Sequence, residues 1–539
     1  MPQQCYQLAT ELHFRSDFKF SIERRCPHVW DNFFTSNSEN NNEYQHHPYF
    51  DHLAQGARLV LSRFADDQLR SFRWDLGTCV PSEILGSSGI ITLRQSSRLR
   101  SLHLITDPLC PDDAEIHLSP FRQLRSLGWK APSALNLKGL SIALRSNSMH
   151  LQELDLDLVD WISLRDGLDA IDGLDVDDDD GSDIDYEEDP DDKGDPYILK
   201  TILGINRRSP APYFAGIRVL SLTQVPITTS LMPAINYNTL ESLTLRLCPG
   251  AARFLDHVAE QMTTRHLKRL EFHSGGIGQL RDSSVIRRCI PAFTGFEELF
   301  VVEQGPECSI DLWDSAANHQ ATLKKFVYHQ KALNLDEDSD YFEEFQDLQD
   351  LAILPLQIQA LRDNSTQHNP FVRLDLECLG LSCAPGKLLK IILQPFKSKT
   401  SLKLLHLRQS RIDMYRYESL GLKKSVLDEG RMNDLGRYSE EGELGQAKAL
   451  RGLRDPFHQF LTWVFSPNGL LSLQVVAFGD FAISDAYSRY NVIVCRDTNE
   501  STGFRILSPL NPEMKRILSE YRDVLGACPS ESSIRMRLL

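Results

Sequence analysis

The sequence predicts an α/β solenoid: an irregular horseshoe with a parallel sheet along its concave side and a mainly helical convex side. Three observations lead there. A six-residue phrase with apolar residues at positions one, four and six returns along the chain. Its copies are almost evenly spaced. The segments between copies carry helical periodicity.

The first copy is "LRSFRW" at Leu69, followed by "LRSLHL" at Leu99, "LRSLGW" at Leu124 and "LQELDL" at Leu151. "IRVLSL" at Ile217, "LESLTL" at Leu240, "LKRLEF" at Leu267, "FEELFV" at Phe296 and "LKKFVY" at Leu323 continue the series. "LQDLAI" at Leu348, "FVRLDL" at Phe371, "LKLLHL" at Leu402 and "LQVVAF" at Leu473 complete it. "LECLGL" at Leu376 competes with the Phe371 register, and both remain open. Apart from two long gaps, successive copies start 23 to 31 residues apart. That step lies close to the leucine-rich-repeat period of roughly 20–29 residues. Side chains alternate along a strand, so positions four and six face one core, and position one enters it. No single unit can bury that apolar face alone. Stacked units can, and the result is a solenoid.

The returning segments read as helices. "AARFLDHVAEQM" (251–262) spaces Phe254, Leu255, Val258 and Met262 helically. "PGKLLKIILQPF" (385–396) and "DPFHQFLTWVF" (455–465) do the same, each with Pro near its start. Only Cys248 fits the Asn/Cys position that follows a repeat strand, so the turns must be satisfied by other groups.

The two gaps read as insertions. Residues 172–195 hold 14 acidic residues and one lysine, a composition that repels itself and buries nothing. An EF-hand register anchored on Gly181 and Glu187 puts Val176 where a carboxylate is required, which argues against calcium. The expected organisation is an N-terminal cap over 1–68, a repeat domain over 69–480 and a C-terminal cap over 481–539. The acidic insertion spans about 165–198 and a polar one about 411–450.

Composition narrows the function. A net charge of −16 over 539 residues excludes a broad basic field for nucleic acid. No apolar run approaches a membrane span, and Met1–Arg15 lacks the pattern of a secretory leader. The 11 scattered cysteines, with no Cys-x-x-Cys pair, suit reduced thiols in the cytoplasm or nucleus. His46, His47 and His52 lack a convergent partner, "HSGGIG" (273–278) lacks the lysine of a phosphate loop, and neither a nucleophile elbow nor a zincin helix is present. No catalytic residue, cofactor or metal site is expected. Recognition is assigned instead to positions three, five and seven of the strands, which point to the concave side. In this chain they include Arg246, Arg269, Glu271, His273, Phe300, Lys325, His329, Arg373, Asp375, His406 and Arg408. Their basic and imidazole groups predict an acidic or phosphorylated protein partner.

Two stretches resemble a known family. "QCYQLATELHFRSDFKF" (4–20) resembles the last helix of an F-box and the extended segment after it, through Cys5, Tyr6, Leu8, Ala9, Leu12 and Arg15. "LRSFRWDLGTCVPSEIL" (69–85) resembles the first strand and turn of the leucine-rich domain in fungal F-box-like proteins, through Trp74, Asp75, Gly77, Cys79 and Pro81. The resemblance implies a substrate receptor of a cullin–RING ubiquitin ligase. The first two-thirds of an F-box, which docks the ligase adaptor, has no counterpart in the sequence. A stand-alone leucine-rich scaffold is therefore the alternative, and ligase docking is expected only with an upstream F-box.

Overall fold

The structure, a computed structural model, describes residues 8–15, 48–108, 110, 114–159, 161, 164, 202–205, 212–227, 229–261, 267–273, 281–304, 310–331, 369–382, 387–407, 455–482, 491–508 and 511–529. The acidic and polar insertions, "LQDLAI", Arg408, His46 and His47 lie outside these residues. The described chain is α/β and forms two compact units that divide between residues 264 and 265.

In the first unit seven strands run in chain order: β1 (Glu11–Arg15), β2 (Ser71–Asp75), β3 (Ser101–Ile105), β4 (Ser126–Lys130), β5 (Glu153–Asp157), β6 (Val219–Thr223) and β7 (Ser242–Arg246). Each pairs in parallel with the next. Helices α1 (Pro48–Leu61), α2 (Ser82–Leu85), α3 (Ile90–Arg94) and α4 (Ala134–Asn147) lie between them, and α5 (Ala251–Gln261) follows β7. The second unit holds β8 (Arg269–His273), β9 (Glu298–Gln304), β10 (Lys325–Lys331), β11 (Cys378–Leu381), β12 (Leu404–Leu407) and β13 (Val475–Phe478), again parallel. Helices α6 (Arg281–Ala292), α7 (Ile310–Ala316), α8 (Lys387–Leu393) and α9 (Asp455–Phe465) alternate with them. β14 (Val492–Arg496) and β15 (Phe504–Ile506) then add antiparallel, and α10 (Pro512–Glu520) and α11 (Arg522–Leu525) follow.

Every phrase that falls on described residues is a strand, with one exception. "FVRLDL" is a 3-10 turn over Pro370–Val372, and "LECLGL" supplies β11. Pro370 explains the choice: it fixes a turn and lacks an amide for the ladder. Arg373 and Asp375 are therefore not strand residues. Glu11–Arg15 is a strand paired with β2, so this part of the opening stretch behaves as one more repeat edge.

Positions four and six are buried throughout: Leu102 and Leu104, Leu154 and Leu156, Leu270 and Phe272, Val476 and Phe478. They meet the helices, as Trp313 of α7 against Tyr328 and Phe457 of α9 against Phe478 show, with ring centroids 6.2 and 5.9 Å apart. We call this the helix-packed face and the opposite side the second face.

A backbone ladder registers the repeats at position two. Arg100 N donates to Arg70 O, Arg125 N to Arg100 O and Gln152 N to Arg125 O, at 2.7–2.8 Å. The second unit repeats it through Glu297, Lys324, Glu377, Lys403 and Gln474. Where a regular repeat would carry an asparagine ladder, unlike side chains cap the turns. Gln95 accepts from Leu69 N and donates to Ala65 O. Asn147 accepts from Leu124 N and donates to Phe121 O. Lys399 donates to the carbonyls of Phe371, Val372 and Leu374, and Arg496 to those of Leu473, Phe465 and Leu470. Each cap pairs backbone groups near the point where the chain enters a strand. The first turn has its own device: Gly77 adopts φ +67°, and the Trp74 indole donates to Thr78 O. This gives Trp74 and Gly77 a structural reason.

Candidate functional site

The second face differs between the two units because the residues at positions three, five and seven differ. In the first unit they are mainly polar, Ile105 and Val219 apart. β2 presents Ser71, Arg73 and Asp75; β3 presents Ser101 and His103; β4 presents Ser126, Gly128 and Lys130; β5 presents Glu153, Asp155 and Asp157. β6 adds Ser221 and Thr223, and β7 adds Ser242, Thr244 and Arg246. Alternating burial along β2 and β3 leaves that part of the face partly open to solvent, while Ser126, Asp157, Thr223 and Thr244 are buried.

Its charges are interlaced. His13 of β1 donates to Asp75 at 2.6 Å, and Arg73 reaches the same carboxylate oxygen at 3.1 Å. Lys130 stands 3.9 Å from Asp155, which also accepts from the Ser221 hydroxyl at 2.8 Å. Burial alone would push Asp155 up, but Lys130, Ser221 and Arg246 outweigh it and hold the carboxyl below its ordinary value. Asp157 goes the other way. Burial raises it to about 6, although it accepts from Val159 N at 3.0 Å. The His103 imidazole meets Ser126 Oγ at 2.9 Å and is pushed down, first by burial and then by Arg73. Its ring lies over Gly128, where a Cβ would come within 2.2 Å of Nδ1. Glycine at position 128 therefore makes the seat for His103. The arrangement offers donors, acceptors and charges of both signs along a ribbon of neighbouring strands, which suits a protein surface of mixed polarity.

In the second unit the same positions include an apolar set: Phe300 and Val302 on β9, Val327 on β10, Cys378 on β11, Leu404 on β12, and Val475 and Ala477 on β13. Met514, Ile517, Tyr521, Val524, Leu525, Ala527 and Cys528 of the C-terminal segment pack on them in one buried cluster. Polar contacts anchor the same segment. Cys528 N donates to Glu271 Oε1 at 2.8 Å, and Lys325 pairs with both Asp523 and Glu298.

This placement changes the sequence-based site. Glu271, His273, Phe300, His329 and His406 were expected to be released from core duty; they are 0–1% exposed. His406 meets Gly479 O at 2.9 Å, and His273 donates to Glu271 at 3.1 Å. Arg269 lies 3.4 Å from Glu298 and stacks 5.0 Å over the Phe300 ring. Arg373, off the strand, pairs with Asp314 at 2.7 Å. Asp375 is exposed on the same non-strand segment. The cations that suggested an acidic partner thus have carboxylates beside them, and Arg408 lies outside the described residues. Of the expected set, Arg246 alone falls on the first unit's face. That face was missed in β2–β6, though the signal was present: Ser, Arg, His, Asp and Gly alternate there with Leu and Trp.

No helix among the described residues is long and apolar enough to cross a membrane. No protein-family model matches the sequence, and no curated protein matches it either.

Proposed function

We propose that the chain is a non-enzymatic protein-recognition module of leucine-rich-repeat type, related to the substrate receptors of cullin–RING ubiquitin ligases. It binds its partner on the second face of β1–β7. One observation carries the reading. The second face of β2–β7 is mainly polar, interlaced and partly open, whereas that of β9–β13 carries an apolar cluster covered by the C-terminal segment. Core duty does not account for Arg73, Lys130, Asp155 and Ser221 on one ribbon; a ligand surface does. The ligase relation rests on the resemblance at residues 69–85 and 4–20, together with the repeat-like build.

A photo-crosslinking residue in place of Ser101 or Ser221 tests the face. It should give a discrete protein adduct that the same probe at Leu135, exposed on α4, does not give. The adduct should disappear when Arg73, Lys130 and Asp155 are replaced together by Ala in a variant that keeps its circular dichroism. An adduct of equal yield from all three positions would refute the face. Ligase docking is tested separately, by mixing the purified chain, and a version extended upstream, with the adaptor subunit. Failure of both to bind would leave the stand-alone scaffold.

A further inference from the structure

We propose that Glu271, His273 and Cys528 form a zinc-type metal site that fastens the C-terminal segment to β8. Glu271 and His273 are two residues apart on one strand, so both project from the second face. Cys528 comes from 257 residues away, just beyond α11. One ligand atom from each side chain lies within 4.8 Å of the other two, and all three residues are buried.

The geometry suits an ion. His273 Nε2 and Glu271 Oε1 are 3.1 Å apart. Two ligands held at about 2.0–2.1 Å by a tetrahedral ion stand about 3.3–3.4 Å apart, so this pair needs little movement. The donor set is imidazole nitrogen, thiolate sulfur and carboxylate oxygen. Zinc accepts all three, whereas calcium and magnesium require oxygen alone. Three protein ligands leave one tetrahedral position for water.

Charge points the same way. The cluster borders apolar Phe300, Val302, Leu525 and Ala527. A divalent ion balances a Cys528 thiolate and offsets the Glu271 carboxylate, which Arg269 approaches at 3.6 Å. The proton of the thiol leaves to solvent as the metal–sulfur bond forms. The rival account is a closed hydrogen-bond cluster, in which Glu271 Oε1 accepts from both His273 and Cys528 N.

The purified full chain, stripped with chelator, is titrated with Co²⁺ and then with Zn²⁺. The site predicts a thiolate-to-cobalt charge-transfer band and tetrahedral visible bands that saturate at one equivalent, and one equivalent of Zn²⁺ bleaches both. Cys528→Ser should abolish the charge-transfer band. It should also weaken Zn²⁺ binding by more than the roughly 10–100-fold typical of losing an outer-sphere partner. Glu271→Gln keeps an acceptor for Cys528 N, so the hydrogen-bond cluster survives in it; the metal site predicts weaker Zn²⁺ and lost Zn²⁺-dependent thermal stabilisation. This variant decides the matter if Cys528→Ser does not fold. No cobalt–thiolate band at saturating ion, a band unchanged by Cys528→Ser, or Zn²⁺ stabilisation unchanged by Glu271→Gln would overturn the site.

Discussion

The second faces of β2–β7 and β9–β13 are built on the same strand plan and have opposite fates. In the first unit, positions three and five are Ser, Arg, His, Gly, Glu, Asp and Thr apart from Val219, and the face stays partly open. In the second unit Phe300, Val327, Cys378, Leu404, Val475 and Ala477 stand there among Glu298, Lys325, Gly380 and His406, and the residues of α10–α11 pack on the apolar ones. The difference shows what a strand phrase does and does not determine. Positions four and six commit the chain to stacking, and they are apolar in both units. Positions three, five and seven decide whether the other side becomes a surface or a second core.

The sharpest way to break this comparison is to put a charge on each face. Val524→Asp or Leu525→Asp places a carboxylate in the buried cluster without a partner. It should cost about 3–5 kcal/mol and unseat the C-terminal segment. Ser101→Asp, on the open face, should stay within about 0.5 kcal/mol. Chemical denaturation of the three variants reads the contrast; equal losses would end it.

Removing a polar group gives the next largest contrast. Glu271→Ala strands the Cys528 amide and the His273 imidazole, at a cost of about 1–3 kcal/mol. Asp155→Ala removes a partly exposed ion pair and the Ser221 hydrogen bond, and should cost about 1 kcal/mol.

A third test concerns the open face alone. Gly128→Ala drives a methyl group into the His103 ring and should cost about 1–2 kcal/mol. Adding His103→Ala should recover most of it, as a double-mutant cycle would report. Additive losses would mean that the ring does not sit on Gly128.

The smallest effect is a pH dependence. Asp157 has a folded pKa of about 6, above its ordinary 3.8. The folded state binds its proton more tightly, so this group contributes stability at low pH that is lost as pH rises from about 4 to about 6. Asp157→Asn keeps an acceptor for Val159 N and removes the loss. Its Tm should exceed that of the parent by about 1–2 °C at pH 7.5 and match it near pH 4. A lower Tm for the variant at pH 7.5 would contradict the raised value.

Much of this was legible in the sequence. The phrases located every described strand from β2 to β13, because apolar spacing and steady step length are properties of the strand–helix unit itself. The competition between Phe371 and Leu376 could have been decided by Pro370. β1 was hidden because Ala9 stands where a phrase begins with Leu, Ile or Phe. The closed face was also written in the sequence, as the runs "FVV" at 300–302 and "VVAF" at 475–478, which do not alternate. Unbroken apolar strands are buried on both sides. What covers them could not be read, since Met514, Ile517, Val524 and Cys528 reach those strands only through tertiary folding. The polar caps Gln95, Asn147, Lys399 and Arg496 were invisible for the same reason: four residue types share one role.

Thiol labelling with mass-spectrometric readout tests the contrast between the two faces most directly. Cys378, Cys495 and Cys528 report on the closed face natively, and burial pushes the Cys378 thiol up to about 12 and Cys495 up to about 11. Ser221→Cys supplies the reporter on the open face. The structure predicts that the thiol introduced at position 221 reacts promptly with maleimide under native conditions, while the three native thiols react only at the rate of unfolding. Labelling of Cys378 and Cys528 as fast as position 221 in the folded chain would show that the second unit's face is open, and would contradict the account.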